Sequence, residues 1–224
     1  MSPLEAHGLH RFFRNGPVET AALRDVSLVC DPGETVAVMG PSGSGKSTLL
    51  SLLAGLDEPD GGQVRINGEL LSHQSPRQAA RVRATHIGVL TQASGLIGHL
   101  SVLANVQLAA SLRQAAQGSR SGVRSPEELL DMLDLHRLRR ALPRRLSGGE
   151  TARAGLAVAL AGSPTVLLAD EPTAEVSASE EVSILQQLAA TRPPLSATVI
   201  VTHSEVVAQH ADRVVHLEAG RLVA

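Results

Sequence analysis

Residues 40–48 read Gly40-Pro41-Ser42-Gly43-Ser44-Gly45-Lys46-Ser47-Thr48, a G-x-x-x-x-G-K-[ST] pattern set between the apolar stretch Thr35–Met39 and the run Leu49-Leu50-Ser51-Leu52-Leu53-Ala54. Strand, glycine-rich turn and helix in that order form the context in which this pattern holds a polyphosphate. A triphosphate carries about four negative charges, and backbone N–H groups can crowd around it without steric clash. Gly40, Gly43 and Gly45 let successive N–H groups turn inward, and the helix opening near Gly45 adds its positive end. Lys46 is spaced to reach the β- and γ-phosphates, and the Ser47 hydroxyl can serve Mg²⁺. A glycine-rich surface turn would leave Lys46, Ser47 and both flanking elements without a reason.

A second group lies at Val166-Leu167-Leu168-Ala169, which runs into Asp170-Glu171. Two carboxylates at the end of a buried apolar strand are costly unless a positive group waits there. Neighbours on a strand point to opposite sides, so the two can take different tasks. Asp170 would hold the metal shell, and Glu171 would orient and deprotonate an attacking water. A third group, Leu146-Ser147-Gly148-Gly149-Glu150, puts a serine and two glycines at a helix start, a second anion-binding nest. One triphosphate does not need two cradles separated by some hundred residues, so Ser147, Gly148 and Gly149 are expected to serve the nucleotide of another copy.

The 224-residue chain, 43% hydrophobic, can bury a sizeable core, and its net charge of −2 offers no general basic field for nucleic acid. Cys30 is the single cysteine, which excludes an intrachain disulfide and suits a reducing compartment; it reads as a small core residue. Met1-Ser2-Pro3-Leu4-Glu5 lacks the basic-then-apolar pattern of a secretory signal, and no apolar run approaches the ~20 residues that span a bilayer. Any task at a membrane therefore calls for a partner. The nine histidines show no paired spacing of metal ligands. Arg137, Arg139, Arg140, Arg144 and Arg145 read as a solvated basic face in preference to a lipid or permease contact.

These motifs need particular elements around them. Strands are expected around Leu9–Phe13, Ala22–Cys30 and Gln63–Ile66, with turns at Asp31-Pro32-Gly33 and Asn67-Gly68. Thr35–Met39, Ile87–Leu90, Thr165–Ala169 and Ala197–Val201 read as buried strands, and a terminal hairpin turns at Ala219-Gly220. Leu100–Ala116 and Glu127–Leu135 read as helices, parted by the polar loop Gln117–Arg124, and a further helix runs from Gly149 to Ala161. Capping boxes at Ser125 and Ser177 open two helices. Continuous apolar strands alternating with helices imply an α/β fold with a mainly parallel sheet covered on both faces. Residues 1–92 and 150–224 would form one core with an N-terminal antiparallel β part, and about 93–149 an inserted helical lobe.

The Gly40 loop, Gln92, the LSGGE pentapeptide, VLLADEPT and His203 after Val199-Ile200-Val201-Thr202 occur in order over essentially the whole chain. In this the sequence resembles the ATP-binding subunit of an ABC transporter, a P-loop NTPase, and looks most like the lipoprotein-releasing and macrolide-export branch. The resemblance implies ATP and Mg²⁺ as cofactors. Gln92 would link Mg²⁺ to the membrane-facing lobe, and His203 would contact the γ-phosphate. Two subunits would close head to tail over two ATP molecules, on the cytoplasmic face of a membrane, driving a separate integral permease; an alternative is a mechanical signal passed through a membrane partner without transport. Soluble ABC proteins acting on DNA or ribosomes carry long insertions or two ATP-binding halves, which this chain lacks. Family spacing favours Phe13 as the ring stacked on adenine, with Phe12 packed inward; with no Tyr or Trp these are the only aromatic choices. The chain departs from the family at Ala93-Ser94-Gly95, where bulky residues are usual, and at Arg153, where more arginine usually follows. At Val176-Ser177 the family usually has Leu-Asp, the aspartate reaching across the dimer.

Overall fold

The computed structural model describes residues 1–16, 18–91, 95–118, 123–174 and 176–223. Two sheets organise them. Strands β1 (Leu4–Asn15), β2 (Val18–Cys30), β4 (Gly61–Ile66) and β5 (Glu69–Leu70) make an antiparallel sheet in the order β2-β1-β4-β5. The second sheet has the order β10-β9-β3-β8-β7-β6, from β3 (Thr35–Met39), β6 (Ile87–Leu90), β7 (Val166–Asp170), β8 (Ala197–Thr202), β9 (Arg213–Glu218) and β10 (Arg221–Val223). It is parallel from β9 to β6, with β10 added antiparallel at the edge.

Alternation along β7 explains why the parallel sheet is covered on both sides. Val166 and Leu168 join a core with the antiparallel sheet and helix α1 (Lys46–Leu53). Leu167 and Ala169 join another core, with α3 (Val102–Gln117), α4 (Pro126–Met132), α5 (Gly148–Leu160) and α6 (Ala178–Thr191). All four side chains are fully buried, so the strand has no polar face and reads as an unbroken apolar run. Cys30 sits in the first core, fully buried, and burial beside Glu34 pushes its thiol up to about 12.

Helix α2 (Pro76–His86) was not evident from the pattern of apolar residues: it buries only Val82 and His86. Its start is nonetheless written locally. Ser75 accepts from the Gln78 N–H, Gln78 returns the bond, and Pro76 fills the first helical position. A short helix α7 (Glu205–Gln209) follows β8. Among the described residues no helix is long and apolar enough to cross a membrane.

Beyond His10, β1 pairs with β2 alone, because β4 reaches only as far as His10. This overturns one expectation. Phe12 does not pack inward; it is 37% exposed and stacks on His10 at 6.2 Å between ring centroids. At Phe12 the ribbon lacks the third strand that pairs with β1 further back, and the ring is left partly open to solvent.

Candidate functional site

The C-terminal ends of β3 and β7 and the loop after β8 converge on one cleft of about 730 Å³. Its walls include Phe13, Gly40, Pro41, Ser42, Gly43, Gly45, Lys46, Ser47, Thr48, Asp170, Glu171 and His203. Residues from four separated stretches of sequence thus meet, as expected for the mouth of a parallel sheet.

The loop from Gly40 to Gly45 carries the chain from β3 into α1. Gly45 caps α1 with φ of 108°, and a Cβ there would lie 2.5 Å from the Ala22 carbonyl oxygen. Only glycine meets both demands. Lys46 Nζ donates to the carbonyls of Gly40 (2.6 Å) and Pro41 (3.1 Å), so the cation is held over the loop. Ser44 behaves differently from its neighbours. It is buried, its N–H is spent on the Pro41 carbonyl, and its hydroxyl has no hydrogen-bond partner among the described residues. It is not one of the residues lining the cleft.

Asp170 and Glu171 end β7 as two distinct environments. Burial raises the Asp170 pKa, a hydrogen bond from Ser47 opposes the shift, and the neighbouring Glu171 charge adds to it. Glu171 has φ of +45°, a left-handed backbone that is uncommon for a residue other than glycine. Its carboxylate is fixed from two sides. Oε1 lies 2.7 Å from His203 Nδ1, and Oε2 accepts from Thr202 Oγ1 at 3.0 Å. Glu171 is 16% exposed against 73% for His203, so the imidazole covers the carboxylate from the solvent side. Thr202 was not singled out from sequence; a hydroxyl residue at the end of an apolar strand, directly before His203, was the available signal.

Phe13 forms another wall of the cleft beside Ala22. The Arg11 guanidinium lies 4.8 Å from its ring centroid and binds Asp57 through two contacts of 2.9 Å. Asp60 accepts from the Phe12 N–H at 2.7 Å, which, with Arg11, lowers its pKa. These carboxylates follow α1, so the ribbon bearing Phe13 is tied to the segment that follows the phosphate loop's helix.

Ser147, Gly148 and Gly149 stand apart from these residues and do not line the cleft. Ser147 caps α5: its N–H donates to Glu150 Oε2 (2.8 Å) and its Oγ accepts from the Glu150 N–H (3.2 Å). Ser147 and Gly148 are exposed, while Gly149 is buried, with the Glu180 carboxylate 2.3 Å from where its Cβ would be. Gln92 lies outside the described residues. Among the described residues no group of three His, Cys, Asp or Glu side chains could hold a metal by itself. The donors present, the Ser47 hydroxyl and the Asp170 carboxyl, are hard oxygens. They suit a cation such as Mg²⁺ that keeps several waters and shares phosphate oxygens.

A glycine loop opening a helix beside a strand-end carboxylate pair, on a parallel sheet, defines the P-loop NTPase class. The narrower grouping follows from comparison with known proteins. A family model described as ABC transporter matches residues 23–174. The chain is 40% identical over 221 residues to the uncharacterized ABC transporter ATP-binding protein YbbA of Escherichia coli, covering 98% of this chain and 96% of that one. It is 37% identical over 221 residues to the macrolide export ATP-binding/permease protein MacB of Sodalis glossinidius, covering 99% of this chain but 34% of that one. The dimeric structure of a bacterial ABC transporter cassette superposes with a TM-score of 0.87 at 30% identity, covering 99% of this chain and 97% of that one. A post-hydrolysis cassette bound to ADP and Pi gives 0.87 at 31%, with the same coverage of both chains. The chain belongs to the ABC transporter ATP-binding family.

Proposed function

We propose that this chain hydrolyses ATP in the cleft between the Gly40 loop and Glu171, and that it does so as the motor subunit of a transporter whose permease is a separate membrane chain. The observation that carries the reading is the Glu171–His203 contact of 2.7 Å, in a cleft that Lys46 and the glycine loop also line. Lys46 neutralises the β- and γ-phosphates, exchanging its two carbonyl partners for phosphate oxygens. Phe13 stacks on the base. Glu171 accepts a proton from the attacking water, and His203, exposed beside it, contacts the γ-phosphate. Ser47, Asp170 and Gln92 would hold Mg²⁺, which neutralises charge on the phosphate oxygens when bound. Positioning and charge stabilisation account for most of such catalysis.

The second cradle, Ser147 to Gly149, does not line the chain's own cleft, which supports a dimer in which each cradle closes over the other copy's nucleotide. Residues 1–92 and 150–224 would then act as the nucleotide core, with about 93–149 as the lobe that meets the permease. The named relatives favour an exporter-type partner, MacB being a fused ATP-binding/permease protein. Glu171→Gln keeps the side-chain shape and removes the base, so turnover should fall on the order of 10²–10⁴-fold while ATP binding persists. Near-normal turnover by that variant would remove Glu171 from this role.

A further inference from the structure

Glu181, in the first turn of α6, does not line the cleft, yet it joins the two loops that carry Glu171 and His203. Its Oε1 accepts from Thr173 Oγ1 at 2.8 Å and from Ser204 Oγ at 2.7 Å. Thr173 lies two residues after Glu171, and Ser204 directly follows His203. The Ser204 N–H donates to Thr202 Oγ1 at 3.0 Å, and the Thr202 hydroxyl donates to Glu171 Oε2 at 3.0 Å.

Each hydroxyl has one proton to give. A carboxylate can only accept, so Glu181 forces both Thr173 and Ser204 to donate towards it. Ser204 is thereby held with its N–H on Thr202, whose own proton is left to point at Glu171. Thr202 is fully buried and Thr173 nearly so, which strengthens these bonds and makes the direction of donation hard to reverse. A role confined to the helix start, where an acidic residue favours the dipole, would not require both hydroxyls to converge on one oxygen.

From this geometry we infer that Glu181 is a positioning residue for hydrolysis, fixing the Glu171 carboxylate through Ser204 and Thr202 and bracing the Glu171 loop through Thr173. This rests on the ATPase reading given above. Its effect passes through Glu171 and leaves the phosphate loop alone.

The test compares wild type, Glu181→Gln, Glu171→Gln and the double variant of the full chain by steady-state ATP hydrolysis, ATP affinity and melting temperature. Glu181→Gln should lower kcat roughly ten- to a hundredfold, the scale of a small misplacement of a reacting group, with ATP affinity unchanged. Added to Glu171→Gln, it should lower the residual rate no further. Thr173→Val, which removes one donor only, should give a smaller fall in kcat. The inference is overturned if Glu181→Gln or Thr173→Val leaves kcat at the wild-type value. It is equally overturned if Glu181→Gln slows the Glu171→Gln background by the same factor as wild type, the signature of a merely structural role. Absence of hydrolysis by wild type would instead overturn the ATPase reading itself, and this inference with it.

Discussion

Asp170 and Glu171 are neighbours with opposite requirements. The fold raises the Asp170 pKa by burying it beside Glu171, so the charged carboxylate is worse off in the folded chain than in the unfolded one. Stability from this group is therefore present in acid, below the unfolded value, and is lost as pH rises through the raised folded value. Asp170→Asn should raise the melting temperature of the nucleotide-free protein at neutral pH, and the difference from wild type should shrink as pH falls through the carboxylate range. The same variant should lose the stabilisation that Mg²⁺ and ATP confer together. A melting curve of the variant that tracks wild type at every pH would show that the site stores no such strain. The ribbon gives a second expectation at this scale. Phe13→Ala should weaken ATP binding by about 1–3 kcal/mol, the worth of base–aromatic stacking, whereas Phe12→Ala, whose ring rests on His10, should bind almost normally. A larger loss in the Phe12 variant, read by equilibrium titration, would reverse the assignment.

Elements hold these residues in place through contacts that are partly hidden in the sequence. Arg113 of α3 is nearly buried, with no carboxylate partner among the described residues; Nε donates to the Ala161 carbonyl and Nη2 to the Ile87 carbonyl, both at 2.8 Å. Burial brings its pKa down to about 10. It thereby pins α3 to the end of α5 and the start of β6. Arg113→Met keeps the volume but strands two buried carbonyls, at about 1–3 kcal/mol each, so the urea midpoint should drop with the slope preserved. Arg113→Lys should recover little, because an ammonium cannot span the fork. Ser177 is the opposite case. It caps α6 in a full capping box, a task serine does about as well as aspartate. Ser177→Asp should leave melting nearly unchanged while raising the ATPase rate or its cooperativity, by adding a charge where the proposed dimer would close. Unaltered kinetics would make the residue a cap and nothing more. Boxes at Ser125 and Ser177 and the apolar runs of β3, β7 and β8 were legible because each is local. Helix α2 was not: it buries only Val82 and His86, and the Ser75-Pro76-Arg77-Gln78 start was its one readable sign. The Glu181 contacts were out of reach for another reason, since residues 173, 181, 202 and 204 form no spaced pattern until β7 and β8 lie side by side.

At the scale of the molecule, the two anion-binding features do not share one pocket. The cleft of one chain holds Lys46, Asp170, Glu171 and His203, while the Ser147 cradle lies outside it. Sequence spacing alone pointed to this division, because a second anion nest had no use within one copy. The inward packing expected of Phe12 failed at this scale also, since whether a strand face is buried depends on what lies above it, and β4 does not pair with β1 beyond His10. The central claim is that two copies complete each other's ATP site. It is tested most directly by the sedimentation mass of Glu171→Gln in Mg²⁺ and ATP. The account predicts a dimer that forms with ATP, fails to form with ADP, and is lost when Ser147 is replaced by arginine. A chain that binds ATP with full affinity yet stays monomeric at every concentration would contradict it.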